Sequence, residues 1–308
     1  MMRQPYEVPM AGLPERVTIY EVGPRDGLQN ESAVVPVEVK AEFLARLAAA
    51  GLTTIEATSF VHPTWVPQLA DAGELLSLMT PMPGVRYPVL VPNERGLDRA
   101  LEHGVSEIAV FGSATETFAR RNLNRSVAGS IEMFAPVVER ALAAEVKVRA
   151  YLSMCFGDPW EGPTPIGRVV DVGEQLLGLG CHELSIGDTI GVGTPGHVTA
   201  LLDAFAARGI GPGRLAVHFH DTYGQALVNT LAALRAGVTV VDASAGGIGG
   251  CPYAESATGN LATEDLVWML HGLGVETGVD LESLVRTSVW LSEKLGRPSP
   301  SRVVQALS

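Results

Sequence analysis

The stretch VTIYEVGPRDG, Val17–Gly27, is a β-branched run that ends in two glycines bracketing Pro24, Arg25 and Asp26. The run Val17–Val22 reads as a strand. The residues just beyond it decide the fold. A doubly wound dinucleotide domain needs G-x-G-x-x-G immediately after its first strand, and the segment after Val22 lacks it. Gly191-Val192-Gly193 comes too late and is too short to replace it.

Outward from this strand the chain alternates regularly from residue 16 to about residue 274. Further strands are expected at Thr54–Thr58, Arg86–Val91, Glu107–Phe111, Val146–Ser153, Glu183–Ile186, Ala216–His220 and Val238–Asp242. Between them lie Ala/Leu-rich stretches at helical spacing, such as Glu38–Ala50, Ile131–Ala144, Val169–Leu179, Thr199–Ala207 and Leu227–Ala236. Gly51, Gly104, Gly180 and Gly237 fall just past helical patterns, where a left-handed capping residue belongs. Eight strand–helix units predict an α/β fold, a (β/α)8 TIM barrel, with its core at about residues 16–275. A short additional C-terminal helical segment, about residues 280–308 and containing the pattern Leu281–Leu295, is expected on its outside or at a subunit contact. The whole of residues 1–308 reads as one catalytic domain.

The formal net charge of -12 argues against nucleic acid as a partner, since that needs a basic face. It leaves room for an anionic small molecule bound by local arginines. Cys155, Cys181 and Cys251 are widely spaced without a Cys-x-x-Cys pattern, so neither a disulfide framework nor a thiolate zinc site is expected. No apolar run approaches a membrane span. The N-terminal residues lack a signal-peptide core, and the expected location is cytoplasmic.

In such a barrel the catalytic groups stand at the C-terminal ends of strands, beside the open mouth. Arg25-Asp26, Glu56, Ser59, Asp188-Thr189 and His218, His220 and Asp221 fall at these ends. The last strand runs into Gly246-Gly247-Ile248-Gly249-Gly250-Cys251. His218 and His220 are two apart on a strand and so share a face. Alone, such a pair is more often two hydrogen-bonded core histidines than half of a metal site. Barrel closure brings the first, seventh and eighth strands together, so Asp26 can join them around one cation. Asn260 is placed to complete the set, although it also reads as a helix N-cap. Two imidazoles, a carboxylate and an amide oxygen suit Mg²⁺ or Mn²⁺, with Zn²⁺, Fe²⁺ and Co²⁺ also compatible.

Arg25 supplies a permanent positive charge for an oxyanion or enolate. Its plainer reading is a salt bridge to Glu56 or Asp188. Cys251 ends a glycine-rich loop that could close over substrate, where a thiol can move protons. Cys155 and Cys181 read as packing residues, and His62, His103, His182 and His197 as structural or surface ones.

In this order, these residues make the chain resemble the 3-hydroxy-3-methylglutaryl-CoA lyase family, within the metal-dependent DRE-TIM group whose Asp-Arg-Glu signature is matched by Asp26, Arg25 and Glu56. The matching stretches are YEVGPRDGLQNE (Tyr20–Glu31), IEATSFV (Ile55–Val61) and GDTIGVGTPG (Gly187–Gly196). They continue with VHFHDTYGQALVNTLAAL (Val217–Leu234) and GGIGGCPYAESATGNLATED (Gly246–Asp265). The Arg-Asp-Gly and His-x-His elements are shared with related Claisen-type synthases, whereas GGCPYA and HDTYGQA look like the lyase.

The resemblance implies a retro-Claisen cleavage giving acetyl-CoA and acetoacetate, as in leucine degradation and ketone body formation. It implies a divalent cation on Asp26, His218, His220 and Asn260, with Arg25 and Cys251 in the chemistry and Glu56 and Asp188 as orienting or proton-relay groups. Gln29 and Ser59 fall in matched stretches and are expected to touch the acyl-CoA substrate together with Arg25. A homo-oligomer, in the first instance a dimer, is the expected assembly. Arg120–Arg125 is the best basic cluster for the CoA phosphates, and reads equally as a solvated helix face. A lyase for a longer 3-hydroxy-3-alkylglutaryl-CoA, or a related Claisen-type acyl-CoA synthase, is the alternative reading.

Overall fold

The structure is a computed structural model and describes residues 4–250 and 259–308. The strands are β1 (Thr18–Glu21), β2 (Thr54–Ile55), β3 (Thr58–Ser59), β4 (Val89–Leu90), β5 (Glu107–Ser113), β6 (Lys147–Ser153), β7 (Gly157–Asp158), β8 (Gly162–Pro163), β9 (Glu183–Asp188), β10 (Leu215–Phe219) and β11 (Val240–Ala243). The helices are α1 (Val37–Ala49), α2 (Ala72–Leu78), α3 (Glu94–Glu102), α4 (Glu116–Leu123), α5 (Val127–Ala143), α6 (Ile166–Gly178), α7 (Pro195–Ala207), α8 (Ala226–Arg235), α9 (Thr263–Gly272), α10 (Leu281–Leu295) and α11 (Arg302–Leu307).

Nine strands form one parallel sheet in the order β2-β1-β11-β10-β9-β6-β5-β4-β3. The two ends of this order, β2 and β3, are halves of a single extended segment. Between them Glu56 N–H donates to the Glu21 carbonyl on one side, and Ala57 N–H to the Pro88 carbonyl on the other. The sheet therefore curls until it meets itself. Parallel strands need both faces covered, and the main apolar core fills the space between sheet and helices, with Phe43, Phe134, Phe205 and Phe219 buried in it. A smaller cluster, Leu90, Ala109 and Tyr151, lies apart from it with Phe111 packed alongside.

Sequence and structure differ mostly at boundaries. Helix α5 begins at Val127 because the Ser126 side chain accepts from Gly129 N–H, and α7 begins on Pro195, whose fixed φ suits a first helical position. The four glycines expected as left-handed caps all have positive φ. The hairpin β7–β8 has no counterpart in the sequence reading, because each strand is only two residues long. At the C-terminus, α10 is capped by Asp280 at one end and left-handed Gly296 at the other, and packs on α1 and α9. None of the helices among the described residues is long and apolar enough to cross a membrane.

Candidate active site

Strand register brings the polar groups together. Tyr20 of β1 lies opposite Asp242 of β11, and Asp242 lies opposite His218 of β10. After β1 the chain winds into a wide turn, Gly23–Gly27, in which Gly27 N–H donates to the Val22 carbonyl at 3.1 Å. This turn puts Arg25 and Asp26 over the end of the sheet. Gly27 is required there, since a Cβ would stand 2.6 Å from Ile248 Cγ1 and 2.8 Å from Ser244 Oγ.

Arg25 is buried and fully engaged on one side. Its Nε donates to Glu56 Oε2 at 2.6 Å and its Nη1 to Asp26 Oδ1 at 2.7 Å, and its guanidinium lies 5.3 Å from the Tyr151 ring centroid. These contacts raise its affinity for a proton further, so its charge is permanent here. Of the two salt-bridge partners considered from sequence, Glu56 is used and Asp188 is not. Burial pushes the Glu56 carboxyl up, against the pull of Arg25. Burial would also raise Asp26, but Arg25, His218, the Asn260 amide and His220 together hold it at about 2.

Ligand atoms of Asp26, His218 and His220 all lie within 4.8 Å of one another. His218 Nδ1 is 3.1 Å from Asp242 Oδ2, and this bond raises the imidazole's proton affinity despite burial. His220 is driven the other way, to about 4, first by burial and then by His218. Asn260 Nδ2 donates to Asp26 Oδ2 at 2.8 Å and to the Ile248 carbonyl at 3.2 Å. It does not cap α9, whose N-cap is Ala262.

Two buried atoms of this group, His220 Nδ1 and Asn260 Oδ1, have no hydrogen-bond partner among the described residues. Leaving a buried acceptor unpaired costs about 1–3 kcal/mol. A divalent cation fits this set on that ground: a hard carboxylate and amide oxygen and two imidazoles, with two buried polar atoms left unpaired among the described residues.

The cluster stands on the wall of a cavity of about 620 Å³, large enough for a substantial organic ligand. Arg25, Gln29 and Ser59 line it, as do Arg121 and Asn122 of the basic run after β5. His62, read from sequence as structural or surface, also lines it. Asp188 does not line the cavity: both its oxygens accept from backbone, Oδ1 from Val192 and Oδ2 from Gly193, so it ties down its own loop. Cys155 and Cys181 are buried, with thiols pushed well up by burial, in keeping with packing roles. Cys251 lies outside the described residues.

Sequence reasoning missed several groups. Asp242 is the penultimate residue of β11 and ends the strand expected from sequence, so the strand-end test could have found it. Arg149, an arginine in the middle of an apolar strand, is completely buried and bonds Asp242, Ser185's partner, as well as Glu183. Glu21 and Glu264 are buried without a cationic partner among the described residues: Glu21 accepts from Gly23, Ala245 and Thr263, and Glu264 from Gly246 and Ser288.

The model of the HMGL-like family matches residues 16–290. The chain is 50% identical over 297 residues to the mitochondrial hydroxymethylglutaryl-CoA lyase of Rattus norvegicus, covering 96% of this chain and 91% of the rat protein. It is 47% identical to hydroxymethylglutaryl-CoA lyase from Pseudomonas aeruginosa, with a TM-score of 0.94 over 96% of this chain and 98% of the other. An HMG-CoA lyase from Acinetobacter baumannii, solved in complex with coenzyme A and 3-methylmalate, is 35% identical with a TM-score of 0.90 over 97% of each chain.

Proposed function

The chain belongs to the HMGL-like family, and on that premise we propose how its site performs the reaction for which its relatives are named. It is a carbon–carbon lyase that cleaves 3-hydroxy-3-methylglutaryl-CoA to acetyl-CoA and acetoacetate. The observation that carries the mechanism is the Asp26, His218 and His220 cluster beside buried Arg25, on the wall of one cavity. The curled parallel sheet is read as a (β/α)8 barrel that forms one catalytic domain, with α10 and α11 as its C-terminal extension.

Asp26, His218, His220 and Asn260 would hold Mg²⁺ or Mn²⁺. The cation, when bound, would supply positive charge beside the substrate's tertiary hydroxyl and free carboxylate. Cleavage breaks the bond between the hydroxyl-bearing carbon and the methylene carbon of the thioester. The hydroxyl loses its proton, its carbon becomes the acetoacetate ketone, and the electron pair passes to the thioester as an enolate.

Arg25 stabilises the charge that then builds on the thioester oxygen. Its Nε and Nη1 are held by Glu56 and Asp26, so the guanidinium is set in place before substrate arrives and costs little reorganisation. Glu56 thus orients Arg25, and Asp188 orients the loop after β9. Cys251, at the end of the glycine run, is assigned the proton transfers, including the one that converts the enolate carbon into the methyl of acetyl-CoA. Gln29 and Ser59 touch the substrate from the cavity wall, and Arg121 with Asn122 supports an acyl-CoA by placing polar groups at the same cavity.

The test is an assay of protein stripped of metal and then resupplied with Mg²⁺ or Mn²⁺. Acetoacetate is expected from 3-hydroxy-3-methylglutaryl-CoA only after resupply. No product with either ion sinks the reading, and product from the stripped protein sinks its metal component.

A further inference from the structure

His218 and His220 are neighbours on one strand face but are held in different ways. His220 Nδ1 has no partner among the described residues, whereas His218 Nδ1 meets Asp242. Asp242 is completely buried and heavily bound. Arg149 donates to it twice, Nη2 to Oδ1 at 2.6 Å and Nη1 to Oδ2 at 3.1 Å, and Ser185 Oγ donates to Oδ2 at 2.8 Å. Arg149 is itself fixed. Its Nε donates to Glu183 at 2.6 Å, and its guanidinium lies 3.9 Å from the Tyr20 ring centroid and 4.7 Å from that of Tyr151. Tyr151 also meets the His218 ring edge-on.

We propose that Asp242 is a positioning residue that locks His218 in the Nδ1–H form and so presents Nε2 to the cation, with Arg149 locking Asp242 in turn. Donor and acceptor capacities decide the tautomer. Arg149 is permanently charged and can only donate, which keeps its fully buried partner ionised. An ionised carboxylate can only accept, so Nδ1 of His218 must carry the proton. A neutral imidazole has one N–H, and the lone pair is therefore on Nε2. The partner that orients a ligating imidazole also sets its basicity, and its loss typically costs 10–100-fold in metal affinity. The proposal rests on the metal reading above for what Nε2 does, and on the side-chain network alone for which nitrogen is protonated.

Two measurements separate those parts. Long-range ¹H–¹⁵N NMR of the metal-free full chain, at about pH 9 where imidazoles are neutral, should show His218 protonated on Nδ1. In Asp242→Asn, Arg149 draws the amide oxygen toward itself and the NH₂ toward the ring, so the signal should change to Nε2–H. Mn²⁺ affinity, read by electron paramagnetic resonance, should fall about 10–100-fold in the same variant. Simple packing of Arg149 against Asp242 would move neither readout. Nε2–H in the wild type overturns the proposal even if the variant does not fold. So does an Asp242→Asn protein with Nδ1–H and wild-type Mn²⁺ affinity. If the wild type shows Nδ1–H and binds no Mn²⁺, the cation reading fails while the lock of Asp242 on the ring stands.

Discussion

Arg25 Nε lies 2.6 Å from Glu56 Oε2, an ion pair buried on both sides and closed between residues 31 apart in sequence. Removing one partner of such a pair leaves the other charge buried and uncompensated, at about 3–5 kcal/mol. Arg25→Met should therefore do two separable things. Turnover should fall by about 10²–10³-fold, the scale of losing a preorganised oxyanion donor. Mn²⁺ affinity should stay within a few-fold, since Asp26 is still held by Asn260. Stability should fall as well, and the double variant Arg25→Met/Glu56→Gln should regain stability but not activity. Wild-type turnover in Arg25→Met would remove Arg25 from the chemistry.

Glu264 gives a pH prediction. Burial, only partly offset by Ser288 and the Gly246 amide, raises its carboxyl to about 8 from an ordinary 4.5. The folded state then binds this proton more tightly than the unfolded chain does. The resulting stabilisation is complete below the unfolded value and is lost as pH rises through the folded one. Wild type should thus lose stability relative to Glu264→Gln between about pH 5 and pH 8, by up to roughly 1.4 kcal/mol per pH unit. Urea unfolding of both proteins across that range is the check, and parallel profiles would show that Glu264 is already ionised in the fold. Glu21, itself pushed up to about 7, is one of the charges that raise Glu264, so Glu21→Gln should move the Glu264 transition to lower pH.

The parts of the site legible in the sequence were those governed by short-range rules. Strand periodicity put His218 and His220 on one face, and sheet closure explained how Asp26 could join them from 192 residues away. Apart from the Arg25–Glu56 pair, contacts between distant side chains were not legible. Arg149 sits among apolar neighbours in β6, and its partners Glu183 and Asp242 lie 34 and 93 residues further on, so no local pattern links them. How Asp188 is used was hidden for a related reason. It falls at a strand end like the site residues, yet its carboxylate turns back to accept two backbone N–H groups of its own loop, which position alone does not reveal.

Cys251 follows Gly250 at the end of the glycine run, and Gly250 lines the cavity. If the thiol carries protons, Cys251→Ala should cut kcat by about 10²-fold or more and leave KM nearly unchanged. Cys155→Ala is the matched control, because that thiol is buried and bonded to the Leu152 carbonyl. It should lower stability with little effect on kcat. Steady-state kinetics of the two variants decide the matter, and unchanged rates in Cys251→Ala would reduce Cys251 to a packing residue.

Gly249 tests the place given to Asn260. Its φ is +111°, and a Cβ there would stand 2.5 Å from Asn260 Nδ2 and 3.4 Å from Gly27 Cα. Gly249→Ala thus adds backbone strain of about 1–2 kcal/mol and pushes on the amide that braces Asp26. Gly84→Ala isolates the strain, since Gly84 also has positive φ but no described atom within 4 Å of its would-be Cβ. Both variants should unfold at lower temperature. Only Gly249→Ala should weaken Mn²⁺ binding, by about tenfold, the lower end of the loss expected when a ligand's support is displaced. Equal Mn²⁺ affinity in the two variants would mean that Asn260 does not belong to the cation's shell.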